Sequence, residues 1–110
     1  MTASDVPIVC TLRPNEVAGR LQEYEELFGE HLRAIERHPR RLRLLLHPAA
    51  GVEAAVRDLL AREQECCPFL TFHLTPGPDT LVADLEVPAE AEQGLDGFVW
   101  IVRKAAPNAR

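Results

Sequence analysis

The spacing of apolar residues along this chain switches repeatedly between steps of three or four and steps of two, and the switches fall near prolines. Neither a single long helix nor an uninterrupted sheet can be built from such a pattern. Residues 6–12, VPIVCTL, put Val6, Ile8, Cys10 and Leu12 on one side and Pro7, Val9 and Thr11 on the other, which predicts a short strand starting or lying at an edge. Pro14 suits a first helical turn and Glu16 complements a helix N-terminus, although Arg13 offers no short acceptor as a cap. From Asn15 to about Arg37, Val17, Leu21, Tyr24, Phe28, Leu32 and Ile35 recur at helical spacing. One long amphipathic helix ended by Pro39 is expected. Gly29 falls on its polar side, at a cost of about 1 kcal/mol relative to alanine.

Leu42, Leu44 and Leu46 then alternate with Arg41, Arg43 and Leu45, a second strand closed by His47-Pro48. Over residues 49–67, Val52, Ala55, Val56, Leu59 and Leu60 form a helical stripe that Pro68 stops. Leu70, Phe72 and Leu74, the turn PGPD, and Leu81, Ala83, Leu85 and Val87 make a β-hairpin signature. The stretch from Ala89 to about Lys104 reads as a helix, yet its FVWIV segment is apolar all round. Its excess apolar surface points to a homodimer interface, because a monomer gains nothing by exposing Trp100 and Ile101. The order β-α-β-α-β-β-α, without linker or repeat, predicts an α+β two-layer sandwich in which a mixed sheet of about four strands is covered by helices. One domain over residues 1–110 follows, with 1–5 and 106–110 as flexible ends.

Charge narrows the function classes. Seventeen acidic against twelve basic side chains give a net charge of -5, the wrong sign for direct nucleic-acid binding. The longest apolar run is the five residues Phe98 to Val102, too short for the roughly 20 needed to span a bilayer. The start, MTASDVPIVCTL, lacks the basic and apolar regions of an export signal, so the cytoplasm is the expected compartment. Three cysteines cannot all pair internally, and a reducing cytoplasm would hold them as thiols.

The chemistry concentrates in Glu63-Gln64-Glu65-Cys66-Cys67-Pro68-Phe69. A helix through Cys67 puts Glu63 in the middle of the Val52, Val56 and Leu59 stripe, with Cys66 and Cys67 flanking that face one turn later. A carboxylate turned inward must take up a proton or find a cation. Its possible partners are a thiol, a metal ion, Arg20 or His31 at the edge of the first helix, or a bound ligand. Cys10 also faces the apolar side of its strand, so three thiols and Glu63 can converge if that strand passes the end of the second helix.

Three readings compete. Thiolate-rich sites favour soft or borderline ions, here Hg, As, Zn or Cu, with Cys10, Cys66, Cys67 and Glu63 as ligands. Alternatively, burial makes Glu63 a general acid/base in an apolar, cysteine-lined pocket of a small enzyme acting on a small molecule. A thiol nucleophile is less favoured there, since Cys66 and Cys67 sit at a helix C-terminus. In the third reading the thiols are inert core residues and Glu63 pairs with Arg20 in a structural or interaction protein. Phe69, Phe72, Tyr24 and His31 are candidates to wall a pocket, Tyr24 being most simply core, and His38, His47 and His73 read as surface. The pairs Arg41/Arg43 and Glu23/Glu25/Glu26 read as solvated faces.

Cys10-Thr11-Leu12 ahead of a long helix, followed by Glu63-x-x-Cys66-Cys67-Pro68-Phe69-Leu70-Thr71-Phe72 and a hairpin, resembles a group of small uncharacterised bacterial proteins. They carry a C-[ST]-L start and an E-x-x-C-C-x-F-x-x-F core, and look like companions of heavy-metal regulators of the mercury-resistance type. The resemblance spans nearly the whole chain and implies roles for Cys10, Glu63, Cys66, Cys67 and Phe69, and more loosely Arg20. Two departures stand out: Arg13 replaces the short polar residue common in the group, and FVWIVRKAAPNAR is longer and more apolar than its usual end.

Overall fold

A computed structural model describes the backbone of residues 14–110 and side chains from residue 19 onward. The strand expected over residues 6–12, and with it Cys10, lies outside the described residues. The described elements are α1 (Pro14–His31), β1 (Leu32–His38), β2 (Arg41–Leu46), α2 (Val52–Cys66), β3 (Thr71–Thr75), β4 (Leu81–Glu86), a 3-10 turn (Ala89–Ala91) and α3 (Glu92–Ala105). They form an α+β sandwich built on a four-stranded sheet in the order β1-β2-β4-β3. No helix among the described residues is long and apolar enough to cross a membrane.

Two details of the expected architecture are corrected. The first helix ends at His31 rather than near Arg37, because Leu32–His38 pairs with β2 across the two-residue turn Pro39-Arg40. A register shift in β1 explains the misreading: Leu32 faces Leu46 and Ala34 faces Leu45, so Arg33 is an extra residue. The bulge spaces the inward side chains Leu32 and Ile35 three apart, the same step a helix would give. The second correction concerns strand direction. Among the described residues all three pairings are antiparallel, so the described sheet is antiparallel rather than mixed. β2 and β3 do run the same way and are joined through α2, but β4 inserts between them and pairs with both.

One face of the sheet is apolar. Leu42, Leu44 and Leu46 stand opposite Leu85, Ala83 and Leu81, and all six are buried. Against them pack Tyr24 and Phe28 of α1, Val56, Leu59 and Leu60 of α2, and Leu95, Phe98, Ile101 and Val102 of α3. Each such side chain withdrawn from water contributes about 1.5–3 kcal/mol, which makes this layer the dominant stabilising term. On the other face Arg43 is not merely solvated: its Nε and Nη2 donate to the two oxygens of Asp84 at 2.8 and 3.1 Å.

Ile101 is 4% exposed, so the FVWIV segment is mostly spent on the core of its own chain, and only Trp100 stands out at 51%. Beyond α3, Ala106 is buried, the Ala109 amide donates to the Ala106 carbonyl, and the Arg110 amide donates to the Arg33 carbonyl. Where α1 meets α3, a Cβ on Gly29 would lie 3.0 Å from the Ala105 carbonyl oxygen. The glycine that weakens α1 locally lets the two helices approach.

Candidate functional site

The end of α2 and the loop into β3 are shaped by Pro68. A residue before proline is steered out of the helical region, and Cys67 accordingly sits at φ -125°, ψ 85°. Its amide still closes the last turn by donating to the Glu63 carbonyl at 2.8 Å. The Leu70 amide donates to the Cys67 carbonyl at 2.9 Å, and Gln64 Nε2 donates to the Leu70 carbonyl at 3.0 Å. The cysteine-bearing turn is therefore held by three hydrogen bonds.

Within this frame the sulfurs differ. Cys66 is a half-buried free thiol. Cys67 is fully buried and disulfide-bonded, so the expectation that every cysteine stays a thiol does not hold for it. Cys10 is outside the described residues. Phe69 is 38% exposed and lies beside Gly94 of α3, while Phe72 is half-buried on β3 and packs against the core.

Glu63 is where the sequence pattern put it, inside the apolar stripe of α2 and 1% exposed. Its partner is Arg20 of α1, whose Nη1 donates to Glu63 Oε1. Both side chains are withdrawn from water, 13% and 2% exposed respectively. His31, the other candidate on α1, lies eleven residues further along. That is about 16 Å at the helical rise, too far to share the carboxylate. The Tyr24 hydroxyl is buried beside the pair and, among the described residues, has no hydrogen-bond partner of normal geometry. Burial, and then the charge of Glu63, push that hydroxyl well above its ordinary range, so it remains protonated.

A second clasp, which the sequence reading missed, runs beside the first. Arg62 donates to both oxygens of Glu23, at 3.0 and 2.6 Å, and also to Asp58 at 2.9 Å. Arg20 Nε stands 3.9 Å from Glu23. Glu23, still 42% exposed, is therefore more than a solvated residue: it is the hinge of a charge chain that joins α1 to α2. The only hint in the sequence was that Glu23 sits one helical step after Arg20.

The two carboxylates respond to pH in opposite senses. Burial pushes Glu63 above its ordinary value of 4.5, and Arg20 pulls it back only in part. Hydrogen bonding to Arg62 holds Glu23 below that value. The stability Glu63 contributes is thus fullest below pH 4.5 and is lost as pH rises through its higher folded value, whereas Glu23's is present above pH 4.5 and lost on acidification. Glu63→Gln removes the first trend. Urea midpoints of that variant should climb more steeply with pH between about 4.5 and neutrality than those of the unaltered protein. Parallel pH profiles would show that Glu63 keeps its ordinary affinity for protons.

Among the described residues, no group of three or more His, Cys, Asp or Glu side chains is arranged to hold a metal ion. The expected carboxylate ligand is engaged by Arg20, and one of the expected thiols is in a disulfide. A cleft of about 800 Å3 opens between the start of α2 and the β3–β4 turn, lined by Pro48, Glu53, Arg57, Pro76 and Gly77 among others. It runs along α2 as far as Ala61, and neither Glu63 nor Cys66 lines it. Comparison with protein families, with curated proteins and with solved structures finds no match for this chain.

Proposed function

We propose that the reduced protein binds a soft metal or metalloid ion of the class Hg(II), As(III), Zn(II) or Cu(I), as an accessory of heavy-metal resistance or sensing. The ligands in this reading are the sulfurs of Cys66 and Cys67, with Cys10 as the third. What supports it is the pair of consecutive cysteines on a turn pinned by three hydrogen bonds, one half-exposed and one buried. Thiolates are the ligands that such ions prefer over water and carboxylate. Opening the Cys67 disulfide is a precondition, so the reading implies a reducing compartment, the cytoplasm.

Glu63 leaves the ligand set in this reading, because its oxygen already accepts from Arg20. Its part is to hold α1 against the end of α2. Acid–base catalysis by Glu63 has less support for the same reason: a carboxylate clamped by a guanidinium is a poor proton shuttle.

The test is native mass spectrometry of phosphine-reduced protein titrated with each of the four ions. One ion per chain is expected, lost when protein is left oxidised and lost in the Cys66→Ala/Cys67→Ala double variant. Glu63→Gln should bind as the unaltered chain does. Absence of a stoichiometric adduct with every ion, in protein shown by alkylation to be fully reduced, would overturn the reading.

A further inference from the structure

The outward side of α3 carries a pattern that neither the core nor the cysteine turn uses. Asp96, Trp100, Arg103 and Lys104 are exposed along it, and Val99 is half-buried beside them. Together these five side chains line a shallow hollow, of which the indole forms one wall. Trp100 is 51% exposed, and Lys104 Nζ sits 5.5 Å from its ring centroid. A large aromatic left in water at the middle of a helix, with polar residues around it, is the usual anatomy of an interface centre rather than of plain surface.

The arrangement is symmetric about the indole. Asp96 lies four residues before Trp100 and Lys104 four residues after it, so acid and base stand one turn away on either side. We propose that two copies of the chain associate across a two-fold axis at Trp100, with their α3 helices packed antiparallel. Such an axis carries residue 100 onto itself and exchanges positions 96 and 104. Each indole then enters the hollow of the other copy, and Asp96 meets Lys104 of the partner subunit on both sides of the axis. Asp96 is 71% exposed even while accepting from Arg37 at 3.0 Å, which leaves it accessible to a second cation. Arg103, next to Lys104, adds to the positive side. A parallel pairing would instead set Asp96 against Asp96 and Lys104 against Lys104, so the charges select the antiparallel one.

The contact is one helix stripe wide, well below the roughly 800 Å2 per partner of a tight complex. A weak, concentration-dependent dimer is the expected form. The proposal stands apart from ion binding, since it involves no cysteine and is tested without any metal.

The chain has one tryptophan, so its fluorescence reports on this surface alone. Sedimentation equilibrium up to about 1 mM, a concentration that reveals even the weakest specific pairs, should show a monomer–dimer equilibrium, with a blue shift of emission following the dimer fraction. Asp96→Lys and Lys104→Asp should each weaken association about tenfold or more, and the double variant that exchanges the two charges should restore it. Circular dichroism and thermal midpoints show that each variant is folded. A strictly monomeric protein, a dimer whose tryptophan emission does not move, or a dimer indifferent to both single reversals would each overturn the proposal.

Discussion

Arg20→Met should lower the unfolding free energy by about 3 to 5 kcal/mol, a large share of the roughly 5 to 15 that a domain of this size possesses. The cause is what the substitution leaves behind. Glu63 is 1% exposed, and without the guanidinium it becomes a buried charge with no cation. It then survives only by taking up a proton, so the variant's folded state should recover part of its stability in acid, where the unaltered protein weakens through Glu23. The double substitution Arg20→Met/Glu63→Leu removes both charges together. Its stability should return close to that of the unaltered chain, or exceed it, because apolar groups of similar size often replace a buried ion pair without loss. Urea unfolding of the two singles and the double forms a cycle that isolates the pair. If Arg20→Met costs less than about 1 kcal/mol, the pair is solvated and the seam between α1 and α2 is held by something else.

The second large effect contrasts two neighbours on α3. Phe98→Ala should cost about 3 to 5 kcal/mol, since Phe98 is 1% exposed and packs in the core between the helices and the sheet. Trp100→Ala, two residues on, removes a still larger ring that is half in water, and in dilute solution should change stability by less than about 1 kcal/mol. Thermal or chemical denaturation at low protein concentration separates the two. Equal costs would mean that the whole FVWIV segment is buried in the folded monomer.

Much of this architecture was legible because strand and helix periods differ. The hairpin around PGPD, the β2 alternation of Leu42, Leu44 and Leu46, and the α2 stripe that turns Glu63 inward all follow from side-chain spacing alone. β1 was not legible, and for a definite reason: a bulge at Arg33 converts a step of two into a step of three, and Leu32 and Ile35 then continue the rhythm of α1. Strand direction was misjudged because a strand–helix–strand passage says nothing about which strand will later fill the gap between its ends. At the site, the inward carboxylate was readable but its partner was one of several possibilities. Arg20 wins because it lies within reach of the end of α2, whereas His31 lies three turns away. The Glu23–Arg62 clasp was invisible for another reason: acidic residues on an exposed helical face look alike until a second helix is laid beside them. The state of the sulfurs was equally beyond reach, since nothing in a run of Cys-Cys separates a free thiol from a bonded one.

The close meeting of Gly29 with the Ala105 carbonyl oxygen makes position 29 a gauge for the tilt of the last helix. An added methyl group there has nowhere to go except against backbone, and the end of α3 would have to yield by a few tenths of an ångström. The displaced turn is the one that carries Lys104. A change made on α1 would thus be read on the neighbouring helix as an altered bearing of its charged outward face.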